Sequence, residues 1–417
     1  MQIFFLNHKF KILIFLILLI IIFYRSPYIL LNGRFYAEEG SFWFRNSYLF
    51  GPIVGITQVF WGSSYFNIWP NIATVFASFV PLEYAPLVTV YFALFVKVYL
   101  FFFIIFSKSN FIKTNLDRFL ISLIILVSPA MIPSIWLNTL TSQIYFTIIC
   151  IFIIFQNEDY KNKFNYFSPV ILLISSLSSV LPLLLTPFYL VKFLTKKNKF
   201  NFINLTILIL TGLFQSFIFL FSKLNNLDLA GEQTRFLLSF EKLINFYYNV
   251  LAKPIFGREL TQMVYFKFMQ NINFIVIILI FSLLMIVYLS KNLKSFKKDK
   301  IFIILLMLFI LNSLFAFFGS KMLEVQGRYA VVPAIILILS IYRLSQITEK
   351  INKFFCLTII IISISAGFYE FKNNNKFSHY LVCINCPDWK KEVSKWKKNK
   401  TYLLEIWPYG RKKMRLY

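Results

Sequence analysis

The sequence predicts an all-α integral membrane protein with about eleven transmembrane helices and amphipathic helices on the outer face. Of its 417 residues, 59% are hydrophobic and 20% aromatic, whereas a soluble domain averages about 45–50% apolar residues. Apolar runs recur along the chain, and each approaches the roughly 20 residues that cross about 30 Å of hydrocarbon. The runs are solid rather than alternating, which favours helices over a barrel.

The first apolar run is too long for a signal-peptide core and has no small-residue cleavage site after it, so we interpret it as a retained span. The predicted crossings lie near residues 10–31, 84–106, 118–137, 142–156, 167–180, 181–194, 202–222, 272–290, 301–319, 330–346 and 354–369. The stretch 167–194 is long enough for one steep helix. However, SSLSS followed by Pro182 and Pro187 favours two short helices, because proline removes a backbone donor and breaks a helix.

Short basic loops orient these crossings. Loops rich in Lys and Arg are typically cytoplasmic, which predicts that side for 108–118, 195–199 and 291–300. The net charge of +26 is spread over such loops, so we interpret it as a topology signal. We therefore expect the lipid bilayer, and not nucleic acid, as the partner of the basic residues.

This topology divides the chain into a transmembrane domain, residues 1–369, and a short basic C-terminal tail, residues 370–417. It places the loops 32–83 and 223–271 outside, together with the tail, although the tail's basic character conflicts with the charge rule. Four cysteines form no disulfide framework. The single CxxC cannot close a four-ligand zinc site alone, but an oxidising compartment would allow a Cys383–Cys386 disulfide.

Two adjacent acids, Glu38 and Glu39, follow the first crossing in NGRFYAEEGSFWFRN, in a chain with only 17 Asp and Glu. A carboxylate near an apolar surface has a raised pKa and can act as a general base at neutral pH. Alternatively, AEEGS begins an interfacial helix, where acids interact favourably with the helix dipole. Arg34, four residues before Glu38, would lower the pKa of that carboxyl, which favours Glu39 as the base.

The stretch RFYAEEGSFWF resembles the F-A-E-[DE]-G-x-x-F pattern of bacterial members of the GT-C superfamily of membrane glycosyltransferases. The segment GSSYFNIWPNIATVFASFVP, the proline-broken helix pair and the tail DWKKEVSKW…IWPYG are also similar to that group. The resemblance implies an outer-loop carboxylate, Glu39 or Glu38, that activates an acceptor hydroxyl for attack on a polyprenyl-phosphate sugar, usually with inversion. The spaced acidic pair of some metal-using members is absent, so a role for a divalent cation stays open.

A lipid-phosphate donor needs cationic partners, and the planar fork of arginine suits phosphate. The candidates are Arg328, Lys321, Arg258 and Arg235. Arg328 ranks first because GRY before the tenth crossing resembles an arginine-tyrosine feature of the family. The alternative is that these side chains anchor helix ends among the headgroups. Candidates for sugar or acceptor contact, which would otherwise serve as interfacial anchors, are Tyr36, Trp43, Trp61, Tyr65 and Tyr329.

We therefore expect an inverting transferase on the outer face of a bacterial inner membrane, with a glycan, a lipid or a protein as acceptor. One alternative is a transporter or flippase of lipid-linked glycans, since intramembrane charges usually mark transport paths; Lys97 in the second crossing is the main one. Another is a transferase of whole glycans of the O-antigen-ligase type, which would rely more on outer-loop arginines. An acid directly after the first crossing favours single-sugar transfer.

Overall fold

The protein is mostly helical and divides into two compact units. The computed structural model describes residues 2–132, 135–157, 164–227, 239–269, 299–320, 327–373, 388–407 and 412–417. Within these ranges, five helices are long and apolar enough to cross a membrane. The all-α class is confirmed, and apolar helices of this length agree with a lipid bilayer as partner. The count of about eleven crossings is not confirmed.

Unit 1 comprises residues 1–119, 133–231 and 374–417. Its helices are α1 (Gln2–Arg25), α2 (Pro27–Asn32), α3 (Arg45–Thr57), α4 (Ile68–Ser78), α5 (Ala85–Phe106), the start of α6 (Asn115–Leu126), α7 (Ser142–Ile154), α8 (Phe164–Ser178), α9 (Thr186–Thr195) and α10 (Lys199–Leu224). Shorter turns are a π-helical turn, Glu39–Phe44, and two 3-10 turns, Trp61–Ser63 and Leu181–Leu185.

Unit 2 comprises residues 120–132 and 232–373. Its helices are α11 (Phe240–Phe246), α12 (Lys253–Phe256), α13 (Arg258–Met269), α14 (Lys300–Gly319), α15 (Gly327–Ile347) and α16 (Lys350–Asn373), with a π-helical turn, Tyr247–Ala252. The described part of the loop 223–271 is therefore largely helical. The predicted crossing 272–290 lies outside the described residues.

Three predicted crossings, 142–156, 167–180 and 181–194, correspond to apolar helices that are too short to be counted among the five. Two others are interrupted in the structure, and proline accounts for both interruptions. The run 10–31 is interrupted at Ser26, because Pro27 begins a new helix. The run 118–137 is not one helix: α6 ends at Leu126, and prolines follow at 129 and 133. Between Ser178 and Thr186 the chain forms a 3-10 turn, so the preference for two helices within 167–194 is confirmed.

The C-terminal tail folds onto the segment that follows α2. It consists of α17 (Trp389–Lys398), β1 (Leu404–Ile406) and β2 (Lys412–Met414), with the two strands antiparallel. The buried apolar residues of α17 recur at i, i+4 and i+7, the spacing of one helix face. They join one apolar core with residues 33–85: Phe35, Phe44, Ala77, Leu82, Ala85, Trp389, Val393, Trp396, Leu404, Ile406, Met414 and Leu416.

The contacts of this core place the tail and residues 33–85 on the same side of the membrane. The Trp389 Nε1–H donates to the Leu82 carbonyl at 2.7 Å, and its ring meets Phe35 edge-on at 5.2 Å. Lys397 forms an ion pair with Glu83 just before α5 begins. The described tail residues therefore form part of the wall around the two glutamates.

Candidate functional site

The glutamate pair sits on a tight turn that is pressed against α5. Gly33 ends α2 with a φ of 69°, and a Cβ at this position would lie only 2.6 Å from the Leu87 nitrogen. Glycine is therefore required here both for the backbone angle and for the close approach. Ala37, directly before the pair, has a φ of 46°, a left-handed conformation that few residues with a side chain adopt.

Backbone hydrogen bonds from the tail hold this turn in place. The Trp407 N–H donates to the Phe35 carbonyl at 3.2 Å, and the Ala37 N–H donates to the Trp407 carbonyl. Tyr36 and Trp407 thus form a short parallel bridge. An unusual backbone angle persists only when its surroundings determine it, and here the tail supplies part of that constraint.

Glu39 is fully buried, with 0% of its surface exposed, and protein donors bind both of its carboxylate oxygens. Oε2 accepts the Tyr36 N–H at 3.2 Å, the bond that a capping box makes at a helix start. Oε1 accepts the Thr139 N–H at 2.8 Å and the Thr139 hydroxyl at short distance. The Thr89 hydroxyl of α5, which donates to the Pro86 carbonyl at 3.1 Å, lies near this carboxylate. Glu39 therefore caps the start of its own helical turn and also binds Thr139 in a distant segment of the chain.

Burial raises the pKa of Glu39 above its ordinary value, because removal from water penalises the charged form. Hydrogen bonds from Thr139, Tyr36 and Thr89 act in the opposite direction, but the effect of burial is larger. A carboxyl with a raised pKa is a stronger base once it has lost its proton. This electrostatic setting suits the role predicted for Glu39.

Thr139 lies in a buried segment without regular helix, residues 135–141, between α6 and α7. A buried backbone without regular helix needs internal hydrogen-bond partners. Asn138 provides them: its Oδ1 accepts the Thr141 N–H at 3.0 Å and the Thr141 hydroxyl at 2.9 Å, while its carbonyl accepts the Ser142 hydroxyl at 3.0 Å. The Asn138 side chain thereby fixes the position from which Thr139 reaches the carboxylate.

Glu38 lies in a different environment from its neighbour. Its side chain is 33% exposed, and Oε1 accepts from the Lys412 Nζ at 2.9 Å. Lys412 belongs to β2 of the tail and is a partner that the local sequence did not suggest. The Arg34 guanidinium lies over the rings of Tyr28 and Trp407 at 5.6 and 5.4 Å.

Two predicted contact residues lie next to the glutamates in the chain. Tyr36 is half-buried and gives its backbone N–H to Glu39. Trp43 is buried and packs against Phe42 and Phe60, with ring centroids 5.2 and 5.3 Å apart. Its indole N–H has no hydrogen-bond partner among the described residues. Trp43 thus has core contacts together with one unused donor.

Two further aromatic candidates pack against other helices of unit 1. Trp61 is half-buried and its ring lies 5.5 Å from that of Phe221 in α10. Tyr65 is also half-buried, and its hydroxyl accepts from the Gln143 Nε2 at 3.5 Å. These contacts anchor residues 61–65 on α7 and α10. Their part in binding a sugar stays a prediction.

The described cationic candidates belong to unit 2. Arg328 is exposed at the start of α15, with its guanidinium 5.1 Å from the Tyr329 ring. Arg258 is half-buried at the start of α13, and its backbone N–H donates to Glu370. The other two cationic candidates, Lys321 and Arg235, lie outside the described residues. Cys383 and Cys386 also lie outside them.

A buried charge cluster that was not foreseen surrounds Arg258. Lys253 is buried, which lowers the pKa of its ammonium to about 8; nearby Glu370 raises it and Arg258 lowers it further. Glu370 accepts the first backbone N–H groups of α13, a position where a carboxylate meets the positive end of the helix dipole. Gly257, with a φ of 80°, brings the chain against that carboxylate.

A second buried charge of unit 1 lies in α5. Lys97 is 1% exposed, and its Nζ is 2.8 Å from the centroid of the Trp136 ring. Arg25, at the end of α1, lies over the same ring at 4.1 Å. Among the residues that the structure describes, no group of three or more His, Cys, Asp or Glu side chains is arranged to hold a metal ion.

The chain matches no protein-family model, no curated protein and no solved structure. The resemblance to the GT-C superfamily stays a prediction. The contacts of Glu39 with Thr139 and Thr89 are the part of the site that was not predicted from the sequence. Polar residues in NTLTS, between two apolar runs, were the available signal.

Proposed function

We propose that the protein is a membrane glycosyltransferase that transfers a sugar from a polyprenyl-phosphate donor to an acceptor hydroxyl. The supporting observation is the Glu39 carboxylate, which is buried, has a raised pKa and accepts a hydrogen bond from the Thr139 hydroxyl. An acceptor hydroxyl that replaced the Thr139 hydroxyl at Oε1 would offer its proton to the same oxygen.

In the proposed reaction, Glu39 removes the proton of the acceptor hydroxyl while the acceptor oxygen attacks the anomeric carbon. The bond between that carbon and the phosphate oxygen breaks, and the lipid phosphate leaves with the bonding electrons. Attack from the face opposite the phosphate inverts the anomeric centre. A positioned general base contributes about 10²–10⁴-fold to such a step.

Glu38 is the second candidate for the base. Its exposure gives an acceptor easier access, but Lys412 occupies one of its oxygens at 2.9 Å. An acceptor would have to displace this ammonium before Glu38 could take a proton. Glu39 therefore remains the preferred base.

The donor phosphate, in this proposal, comes from a lipid in a bacterial inner membrane, and the site faces the exterior. Among the described residues, the candidates for contact with this phosphate are Arg328, which is exposed, and Arg258, which is half-buried. Because the tail packs against residues 33–85, an experiment that determines on which side of the membrane the tail lies also determines the side of Glu39. The acceptor is a glycan, a lipid or a protein.

The test is transfer from a panel of radiolabelled polyprenyl-phosphate sugars in native membranes. Glu39→Gln keeps the shape of the side chain but removes the base, so transfer should fall by about 10²-fold or more. Glu83→Gln is the matched control, since Glu83 lies in the same outer segment and forms an ion pair with Lys397. Full transfer by Glu39→Gln, with normal insertion, would refute Glu39 as the base; loss in Glu38→Gln alone would move the role to Glu38.

A transporter of lipid-linked glycans is the second candidate, and Lys97 is the observation that favours it. A charge in the middle of a 22-residue span usually lines a transport path or pairs with a ligand. Proteoliposomes loaded with a labelled lipid-linked glycan distinguish the two functions. Movement of the glycan across the membrane without any transfer to an acceptor would support the transporter and reject the enzyme.

A further inference from the structure

The ammonium group of Lys97 is buried in the middle of α5. The helix extends 12 residues before Lys97 and nine after it, or about 18 and 14 Å at 1.5 Å per residue. Only 1% of the side chain is exposed, and Nζ forms no hydrogen bond with any described residue. Its neighbours are the rings of Trp136 and Tyr145, with centroids 2.8 and 4.8 Å away.

A second cation approaches the same indole. Arg25 is 7% exposed, and its guanidinium carbon lies 4.1 Å from the Trp136 ring centroid. The Trp136 Nε1–H donates to the Ser26 hydroxyl at 2.6 Å, which holds the ring between α1 and α5. Aromatic faces attract cations, but they do not neutralise them. Two like charges that share one ring repel each other unless an anion lies near both.

No ion pair within the described residues supplies that anion to Lys97. Buried charges are ordinarily paired, because an isolated ion is strongly disfavoured away from water. An ionisable residue inside a membrane span is for the same reason usually a functional site. The chemistry that fits two neighbouring buried cations is an oxyanion.

We propose that Lys97 and Arg25, beside Trp136, bind the phosphate oxyanion of a lipid. The assignment of that lipid as the sugar donor rests on the proposed function, whereas the oxyanion site itself does not. Thr89, which lies near Glu39, is eight residues before Lys97, at positions i and i+8 of one helix face. The separation along the axis is about 12 Å, a distance that one sugar with its phosphate linkage would span between Lys97 and Glu39.

This site differs from the cationic candidates that the sequence suggested. Arg328 and Arg258 belong to unit 2, whereas Lys97, Arg25 and Glu39 all belong to unit 1. A donor held by the unit 1 cations would bring its phosphate and its sugar against one set of packed helices. Phosphate binding and proton removal would then depend on the same rigid layer.

The experiment measures binding to the full-length protein in phosphatidylcholine nanodiscs. The probes are undecaprenyl phosphate, undecaprenol and inorganic phosphate, and the readout is quenching of tryptophan fluorescence together with native mass spectrometry of the bound lipid. Lys97→Met removes the charge at similar length, and Lys97→Arg keeps it. Lys108→Met, in the exposed loop after α5, is the matched control.

We expect Lys97→Met to weaken undecaprenyl phosphate binding about tenfold or more. Lys97→Arg and Lys108→Met should bind undecaprenyl phosphate as tightly as the unaltered protein does. Undecaprenol, which lacks the phosphate, should bind equally to all the variants. Competition by inorganic phosphate would identify a site for free oxyanions, and absence of competition one that needs the lipid. Binding of undecaprenyl phosphate by folded Lys97→Met with unaltered affinity overturns the proposal.

Two further variants keep the result decisive. If Lys97→Met does not insert, Arg25→Met takes its place, and unaltered affinity in that variant rejects the site. Glu39→Gln should bind undecaprenyl phosphate normally while losing transfer. If Lys97→Met loses binding while Glu39→Gln keeps full transfer, the proposed base is rejected and the oxyanion site is retained. If Lys97→Met binds normally while Glu39→Gln loses transfer, the oxyanion site is rejected and the proposed base is retained.

Discussion

Removal of Trp389 should release the C-terminal tail from the glutamate turn. Trp389→Phe keeps an aromatic ring against Phe35 but leaves the Leu82 carbonyl without the donor that now lies 2.7 Å away. An unsatisfied buried acceptor costs about 1–3 kcal/mol. Trp389→Ala also removes most of a ring that is 7% exposed, and such core truncations cost about 3–5 kcal/mol.

The free energy is read from amide hydrogen exchange, because opening of the tail breaks the bond from the Trp407 N–H to the Phe35 carbonyl. Each 1.4 kcal/mol corresponds to about a tenfold change in an equilibrium constant. Exchange at Trp407 should therefore rise by roughly 10²-fold or more in Trp389→Ala, and by a smaller factor in Trp389→Phe.

The matched control is Tyr417→Ala, which alters an exposed aromatic residue of the same tail. It should leave the exchange of Trp407 unchanged. The reasoning is refuted if Trp389→Ala retains full protection at Trp407 and Ala37, since the tail would then be held by contacts other than the Trp389 core. A rise in exchange over the entire protein would indicate global unfolding and would also contradict local release.

Two further predictions concern Glu39 and Gly257. Transfer should rise with pH as Glu39 loses its proton, with a midpoint above the ordinary glutamate pKa of 4.5, since burial raises the pKa of this carboxyl. Thr139→Val removes a donor that favours the charged form, so the rising limb should move to higher pH, and a move to lower pH contradicts the assignment. Thr195→Val, at an exposed position of α9, is the control. Gly257→Ala should lower the free energy of unfolding by more than about 1 kcal/mol, because φ is 80° and the new Cβ would lie 2.7 Å from Glu370 Oε1. Gly212→Ala is the control, since its Cβ would make only an ordinary van der Waals contact; the unfolding midpoint should fall in the first variant and not in the second.

Periodicity and composition were sufficient for the helices that lie alone in an apolar run. The predicted crossing 84–106 corresponds to α5, and 301–319 corresponds to α14. The run 118–137 was misread because its apolar residues are continuous, although the helix ends at Leu126, shortly before Pro129. The same proline rule was applied correctly to 167–194, so the signal was present in both places.

The partners of the glutamates could not be read from one sequence. Thr139 is 100 residues from Glu39, and Lys412 is 374 residues from Glu38. Spacing predicts neighbours only within an element, at i+2 in a strand or i+3 and i+4 in a helix. Local reasoning therefore located the acids and the cap of Glu39, whereas the burial and tethering of its carboxylate arise from packing between distant segments.

The bridge between residues 35–37 and Trp407 has a consequence for biogenesis. At about 5–20 residues per second, the ribosome needs roughly 20–75 s to proceed from Glu38 to Lys412, which are 374 positions apart. During that interval the N–H of Ala37 and the carbonyl of Phe35 present an unpaired strand edge, which is a template for improper pairing. The glutamate turn is thus among the first parts of the chain to reach the membrane and among the last to mature, and a nascent chain halted before residue 404 carries both acids without the frame that orients them.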